Sequence, residues 1–582
     1  MFSFTWQDIN VTVFEKTKTF WKTTTRNKTI LDNVSGSSRS NSLFAIMGSS
    51  GSGKTTLLRA ISGRCRQKTG LLQVNDNFIS DDDIRDISGY VPQQDIFVEH
   101  LTVLEHLEFM AALQRKTRSR KKHQSIIKQL LSELSLERQN CTLIKNLSGG
   151  EKRRLSLASE LISNPFILFC DEPTTGLDSY NSVVVVEKLQ TIALSGKIVI
   201  ITIHQPSSQL FHYFNNITLL AEGKLVFQGT TEEAKSFFES MDLFYPENYN
   251  PADFYIRCLT GENVQEMCKM FIQWKTSQST IYCSHCNHVD NILLDKQNKN
   301  NFFHELKWLM WRNYLSIKRN KWAHLGTYFV VLIELVMVSF FYSKISFTDR
   351  ESAQNIEGFI AFIGSEFTFT NMYSVINVFP SEVEVFIREK TLYSSCAYFI
   401  SKILSVIPLS LLSTMLYMTI LFTIIKFLNG FYLWVQMTYL TFLVSMAASA
   451  LGLAFSATFS TVDHIDLYLG PLEFLLLLLS GLMVKLDVIP VALRWLKYLS
   501  PFYYAFDSLS NLLWKDVTNI GNCAGNETIP CYSNGTEVLR NYGIYKSFNT
   551  VTYDILYLHL LATALCLIGF GGIVRKKILY NI

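Results

Sequence analysis

Beyond Trp322 the chain carries six apolar blocks, at about 323–343, 357–379, 403–425, 433–459, 467–486 and 553–574. Each approaches the roughly twenty residues that cross a bilayer core. Inside hydrocarbon no water satisfies backbone N–H and C=O groups, so such blocks can cross only as helices. Residues 303–582 are therefore expected to form an all-α transmembrane domain with six spans. The second block is the least apolar, interrupted by Glu366, Thr368, Thr370 and Asn371. Glu334, Glu366 and Glu473 lie within blocks, where a charge costs on the order of 3 kcal/mol, so each calls for a partner, a cavity or a neighbouring helix. The stretch 488–515 is apolar but broken by Pro490, Arg494, Lys497 and Pro501. It reads as re-entrant or interfacial.

Charge sets the expected orientation. Lys307, Arg312, Lys318, Arg319 and Lys321 precede the first block, and Arg575, Lys576 and Lys577 follow the last. Both clusters belong on the cytoplasmic side, which demands an even number of spans. The long loop 516–552 then lies outside, and it holds two N-glycosylation sequons, Asn526-Glu527-Thr528 and Asn534-Gly535-Thr536. Cys523 and Cys531 flank the first; a disulfide and two free thiols both remain open. No signal peptide is read at the start, where residues 1–6 look like a first strand.

The rest of the chain is different. Overall, 48% of the 582 residues are hydrophobic and mean hydropathy is +0.16, but the excess sits in the second half. The first 320 residues or so read as a mixed α/β sequence. Net charge is only +4, too weak to indicate a nucleic-acid partner. An apolar run, Leu43–Met47, opens into Gly48-Ser49-Ser50-Gly51-Ser52-Gly53-Lys54-Thr55-Thr56. That is a strand, a glycine turn and a helix start, the arrangement that cradles phosphates. Lys54 would reach the β- and γ-phosphates, and Thr55 would offer its hydroxyl to Mg²⁺.

Further along, Ile167–Cys170 leads into Asp171 and Glu172: Asp171 suits Mg²⁺, and Glu172 suits a base for attacking water. Ser148, Gly149, Gly150 and Glu151 open a helix in "LSGGEKRR", another anion-binding end. Gln93 follows a short strand in "YVPQQD", Asp178 sits in "TTGLDS", and His204 follows Lys197–Ile201 in "TIHQPSS". Alone, each is ordinary. Their order resembles the ATP-binding cassette of ABC proteins across residues 1–260. The resemblance implies an α/β P-loop NTPase cassette binding ATP and Mg²⁺. On it, Lys54 and Thr55 are Walker A, Ser148–Glu151 is the signature, Asp178 the D-loop and His204 the switch histidine. Asp171 and Glu172 are Walker B, and Gln93 is the Q-loop glutamine, placed with Thr55 and Asp171 at the Mg²⁺.

A cassette preceding one six-span domain resembles the G subfamily, the White-type half-transporters. "NPADF" (250–254) and "FP...FIRE" (379–389) agree, although Val383 stands where that family often has arginine. This resemblance implies a homodimer, or a heterodimer with another G-subfamily half-transporter. It also implies export or flopping of a hydrophobic or amphipathic substrate: lipid, sterol, xenobiotic or pigment precursor. The expected place is the plasma membrane, with cassette and termini cytoplasmic. The six spans exclude a soluble ABC ATPase; an ATP-gated channel or non-transporting regulator is the alternative. Trp6, Phe14 and Trp21 are equal candidates for stacking adenine. The basic run 115–123 reads as a solvated helical face rather than a nucleic-acid site. "CSHCNH" (283–288) is too crowded for a structural zinc site and belongs to a polar linker over 261–302.

Overall fold

The computed structural model describes residues 2–19, 22–115, 119–244, 246, 249–259, 264–278, 300–343, 352–425, 430–481, 483–485, 488–518, 520, 532–544 and 550–579. Cys523, Cys531, Asn526, Trp21 and the 283–288 run lie outside them. The described residues form two compact units, one ending at Asn300 and one beginning at Asn301.

The first unit's strands are β1 (Ser3–Thr19), β2 (Lys22–Arg39), β3 (Ser42–Gly48), β4 (Lys68–Val74), β5 (Asn77–Phe78), β6 (Ser88–Val91), β7 (Ile167–Cys170), β8 (Ile198–Thr202), β9 (Asn216–Ala221) and β10 (Lys224–Thr230). One sheet is antiparallel, in the order β2-β1-β4-β5. The other runs β10-β9-β3-β8-β7-β6, parallel from β9 to β6. Every residue of β3, β7 and β8 is buried. Strands covered on both faces read as unbroken apolar runs, which is why the sequence reveals them. Register pairs Ile46 with Thr202, Cys170 with Ile201 and Val91 with Cys170. The carboxyl ends of four strands therefore finish along one edge, where open parallel sheets bind ligands. Trp6 is not available for stacking: it is buried and meets Phe44 edge-on at 5.8 Å. Phe14 stands exposed.

Helices used below are α1 (Lys54–Ile61), α2 (Gly149–Leu161) and α3 (Ser179–Leu194) in this unit. The second unit contains α4 (Phe302–Arg319), α5 (Lys321–Phe341), α6 (Ser352–Ser374), α7 (Ser395–Ile424), α8 (Gly430–Thr458), α9 (Val462–Leu478), α10 (Pro501–Trp514), α11 (Gly535–Asn541) and α12 (Thr550–Leu579). Among the described residues α7, α8 and α12 are long and apolar enough to cross a membrane, and α5 holds a shorter apolar stretch, Tyr328–Phe341. The second and fifth apolar blocks fall on α6 and α9, but both helices sit earlier than the blocks. The first turn of α9 is polar (Asp463, His464, Asp466), so an apolar window passes it over. Helix α6 stops at Ser374, and turn residues lead from it to a short 3₁₀ segment that opens at Pro380.

Small residues bring the membrane helices close. A Cβ on Gly452 of α8 would collide with the Met372 carbonyl of α6, and one on Gly572 of α12 would lie 3.0 Å from Ala457. Close backbone approach replaces the hydrophobic drive that lipid removes. The broken stretch 488–515 forms a 3₁₀ segment, Val491–Leu499, and then α10, in which every residue is buried. Ser500 caps α10 by accepting from the Tyr503 N–H. Trp514 and Ser510 of α10 donate to Glu357 of α6 at 2.6 and 3.2 Å. Glu334 of α5 lies beside Glu366 of α6, which accepts from the Thr370 hydroxyl at 2.5 Å, and Tyr373 lies beside Glu473. Asn534, the second sequon's asparagine, caps α11 by accepting from the Glu537 N–H at 3.0 Å.

Helix α4 is amphipathic, burying Glu305, Leu309, Arg312 and Asn313 at helical spacing. Glu305 accepts from the Ser394 N–H and hydroxyl at 2.9 and 2.8 Å. Arg312 donates to Glu389 at 2.6 Å, and Tyr393 donates to the same oxygen at 2.8 Å. Burial works against the Arg312 charge, yet Glu389, Tyr393 and Glu382 hold its pKa above the usual range. Removing one partner of a buried pair costs about 3–5 kcal/mol, whereas apolar replacement of both can be neutral. Arg312→Met should therefore lower the midpoint of thermal inactivation of the purified protein sharply. Adding Glu389→Leu should recover most of the loss. A single mutant as stable as wild type would contradict this role for the pair.

Candidate functional site

Strand β3 ends at Gly48, and α1 begins at Lys54. A Cβ on Gly48 would collide with the Leu220 carbonyl, so only glycine lets the loop leave the sheet here. Gly53, at φ 97°, precedes α1 and offers no capping side chain. The first N–H groups of α1 therefore face the loop unmet, at the positive end of the helix. Ser52 Oγ is buried without a hydrogen-bond partner. Ser49, Ser50 and Gly51 complete the turn, with Gly51 at φ 80° in open space, and Thr56 lies in the first turn of α1. Lys54 folds over it: Nζ donates to the carbonyls of Gly48 and Ser49 at 3.0 and 2.9 Å. Burial lowers its pKa, opposed by the nearby Glu172 and Asp171 carboxylates.

Asp171 is 1% exposed and accepts from three hydroxyls. Thr55 and Thr202 donate to Oδ1 at 2.9 and 2.8 Å, and Tyr90 donates to Oδ2 at 3.3 Å. Burial pushes the Tyr90 hydroxyl's pKa upward, so it stays protonated and donates. Glu172 follows at φ 44°, a left-handed conformation rare for such a side chain. Its N–H donates to Thr202 Oγ1 at 2.8 Å. Its carboxylate accepts from Gln93 Nε2 at 2.7 Å and from Thr175 at 3.0 Å. Lys54, Thr55, Gln93, Asp171 and Glu172 thus converge at the ends of β3, β6 and β7.

A second group assembles around Asn181. Ser148 caps α2 in a capping box with Glu151: Oγ accepts from the Glu151 N–H, and Glu151 Oε2 accepts from the Ser148 N–H at 2.9 Å. Asp178 caps α3 by accepting from the Asn181 N–H at 3.4 Å, and it also accepts from Asn181 Nδ2 at 2.6 Å. Asn181's side chain holds the Asp178 carboxyl below its usual range. A Cβ on Gly150 would lie 2.8 Å from Asn181 Oδ1, while Gly149 meets only Leu177 at 3.5 Å. The α2 start therefore presents Ser148, Gly149 and Gly150 beside Asp178. His204 lies exposed just past β8, before Gln205 at φ 47°.

The sequence reading missed three residues. Thr202 and Tyr90 are indistinguishable from strand residues in the sequence. Arg153, inside the quoted "LSGGEKRR", is 2% exposed and reaches carbonyls of both the Gln93 and the Glu172 segments. Periodicity does not separate such a buried arginine from a solvent-facing one.

The arrangement fits a magnesium nucleotide. Unmet N–H groups and Lys54 suit polyphosphate. The Thr55 hydroxyl, the Asp171 carboxylate and the Gln93 amide oxygen are hard donors suited to Mg²⁺. The ABC transporter family profile matches residues 31–175, and ABC-2 type transporter profiles match 304–514 and 204–368. Protein scarlet of Drosophila melanogaster is 34% identical over 554 residues, covering 90% of this chain and 83% of scarlet. Protein white of the same organism is 34% identical over 547 residues, covering 88% of this chain and 78% of white. ABC transporter G family member 4 of Dictyostelium discoideum is 29% identical over 568 residues, covering 92% of this chain and 69% of that protein.

Among the described residues Thr202 alone bonds both Asp171 and the Glu172 backbone. A hydrogen bond to a charged group is worth about 1.5–3 kcal/mol. Thr202→Val should lower the maximal ATPase rate about 10–100-fold with little change in nucleotide affinity. An unchanged rate would show that the Thr202 hydroxyl does not hold the site.

Proposed function

This chain belongs to the G family of ABC transporters, and from that membership we propose how its residues divide the work. It is a multi-pass membrane half-transporter, one cassette and one membrane domain, whose ATP hydrolysis is coupled to transport. Two chains pair, as a homodimer or with another half-transporter of the family. Each ATP then lies between Lys54 and Thr55 of one chain and Ser148–Gly150 of the other, with Asp178 beside the joint. Thr55, Asp171 and Gln93 would hold the Mg²⁺, which would neutralise phosphate charge. His204 contacts the γ-phosphate end.

Within one chain, Glu172 orients and deprotonates the attacking water, and Gln93 fixes its carboxylate. The 2.7 Å Gln93–Glu172 hydrogen bond beside the Thr55–Asp171 contact is the observation that carries this assignment. Closure of the two cassettes moves six spans per chain between inward- and outward-facing states. The cargo is a hydrophobic or amphipathic molecule, a lipid, sterol, xenobiotic or pigment precursor, exported or flopped from the cytoplasmic leaflet. The membrane is the plasma membrane, with cassette and both termini cytoplasmic.

Removing a positioned general base costs about 10²–10⁴ in rate. Glu172→Gln should bind Mg-ATP normally, lose hydrolysis on that scale and accumulate a nucleotide-trapped closed state. Turnover near wild type in reconstituted liposomes would remove Glu172 from this role.

A further inference from the structure

Arginine carries five N–H donors in a rigid fork, and Arg153 uses all five. Nε donates to the Pro173 carbonyl at 3.1 Å. One terminal nitrogen donates to the Pro92 carbonyl at 2.6 Å and to Asp95 Oδ1 at 3.2 Å. The other donates to the carbonyls of Gln93 and Glu172 at 2.9 and 2.8 Å. The guanidinium thus stands between two loops far apart in sequence, 92–95 and 172–173, and grips the backbone of both. Those loops carry the amide donor and the carboxylate acceptor of the Gln93–Glu172 bond.

Two further observations give the grip a purpose. Glu172 is held at φ 44°. A strained backbone persists only where its surroundings over-determine it. Here the Glu172 N–H is held by Thr202 and its carbonyl by Arg153. Arg154, next in the chain, leaves Nε buried without a partner, so full satisfaction at Arg153 is not a general property of this helix.

We propose that Arg153 is a positioning residue for ATP hydrolysis: its guanidinium fixes the two backbone segments that aim Gln93 and Glu172 at the attacking water. It touches neither side chain's reacting atoms and acts through them. Lysine cannot replace it, since an ammonium presents one point of donors rather than a fork that spans both loops. Misplacing a reacting group by about 1 Å can cost ~10²-fold in rate. The inference rests on the reading of Glu172 as the residue that orients water, and its test separates the two.

Full-length wild type, Arg153→Met, Arg153→Lys, Glu172→Gln and the Arg153→Met/Glu172→Gln double variant are reconstituted in liposomes. ATP binding is measured in the presence of EDTA, and hydrolysis is followed by single-turnover release of phosphate. Arg153→Met should bind ATP within a few-fold of wild type and hydrolyse it about 10²-fold more slowly. Arg153→Lys should fall between them. In the double variant hydrolysis should be no slower than in Glu172→Gln, because the positioned carboxylate is already gone. Hydrolysis near wild type in Arg153→Met overturns the proposal, as does a double variant slowed by the product of the two single effects. Loss of ATP binding, or failure of both Arg153 variants to fold, also overturns it and makes Arg153 a structural anchor. Normal turnover in Glu172→Gln instead overturns the Glu172 reading, whatever Arg153 does.

Discussion

At the exit of strand β7 two adjacent carboxylates face opposite demands. Asp171 is buried and must be surrounded by donors, and Thr55, Thr202 and Tyr90 supply them. Glu172 must turn out of the sheet within one residue, which forces its backbone into the left-handed region. A buried carboxylate without hydrogen bonds and an unsupported strained residue would each be costly. The neighbouring elements meet both costs at once. Thr202, at the end of β8, bonds Asp171 and the Glu172 N–H. Thr55, in the first turn of α1, ties the phosphate loop to the same carboxylate. The parallel register of β3, β8 and β7 makes this possible, because it brings three strand ends to one edge.

The membrane unit solves a different problem with the same means. Its polar groups cannot be left to water in hydrocarbon. Glu357 is met by Trp514 and Ser510, and Lys402 pairs with Glu382 while also donating to Asn313 at 3.0 Å. Lys402–Asn313 and Glu305–Ser394 tie α4 to the start of α7, and Arg312–Glu389 ties it to the segment before α7. The sequence segment between α6 and α7 is thereby held by buried, directional contacts rather than by apolar packing alone.

How much of this was legible in the sequence depended on how local the physics is. Lys54, Thr55, Gln93, Asp171 and Glu172, which the structure brings together, stand in short motifs after apolar strands and so are visible locally. The long apolar helices were readable because bilayer thickness sets their length. Contacts between distant segments were not. Nothing in the local pattern marks Thr202 as a bridge, Arg153 as a five-bonded strap or Glu357 as the partner of Trp514. Helix ends also escaped where polar turns such as Asp463–Asp466 continue an apolar helix. Trp6 looked free to stack on adenine only because a sequence does not display the core that buries it.

In the proposed pairing each ATP is held between two chains. Lys54→Met in one copy and Ser148→Arg in another test it directly, because each mutant homodimer has both sites damaged. A mixed dimer has one doubly damaged site and one intact site, built from Lys54 of the second copy and Ser148 of the first. ATP trapping by purified mixed dimers, captured through two different tags, is the measurement. If the chain homodimerises as described, trapping rises well above that of either mutant alone. Trapping no better than the single mutants, in mixed dimers shown to have formed, would contradict the shared site.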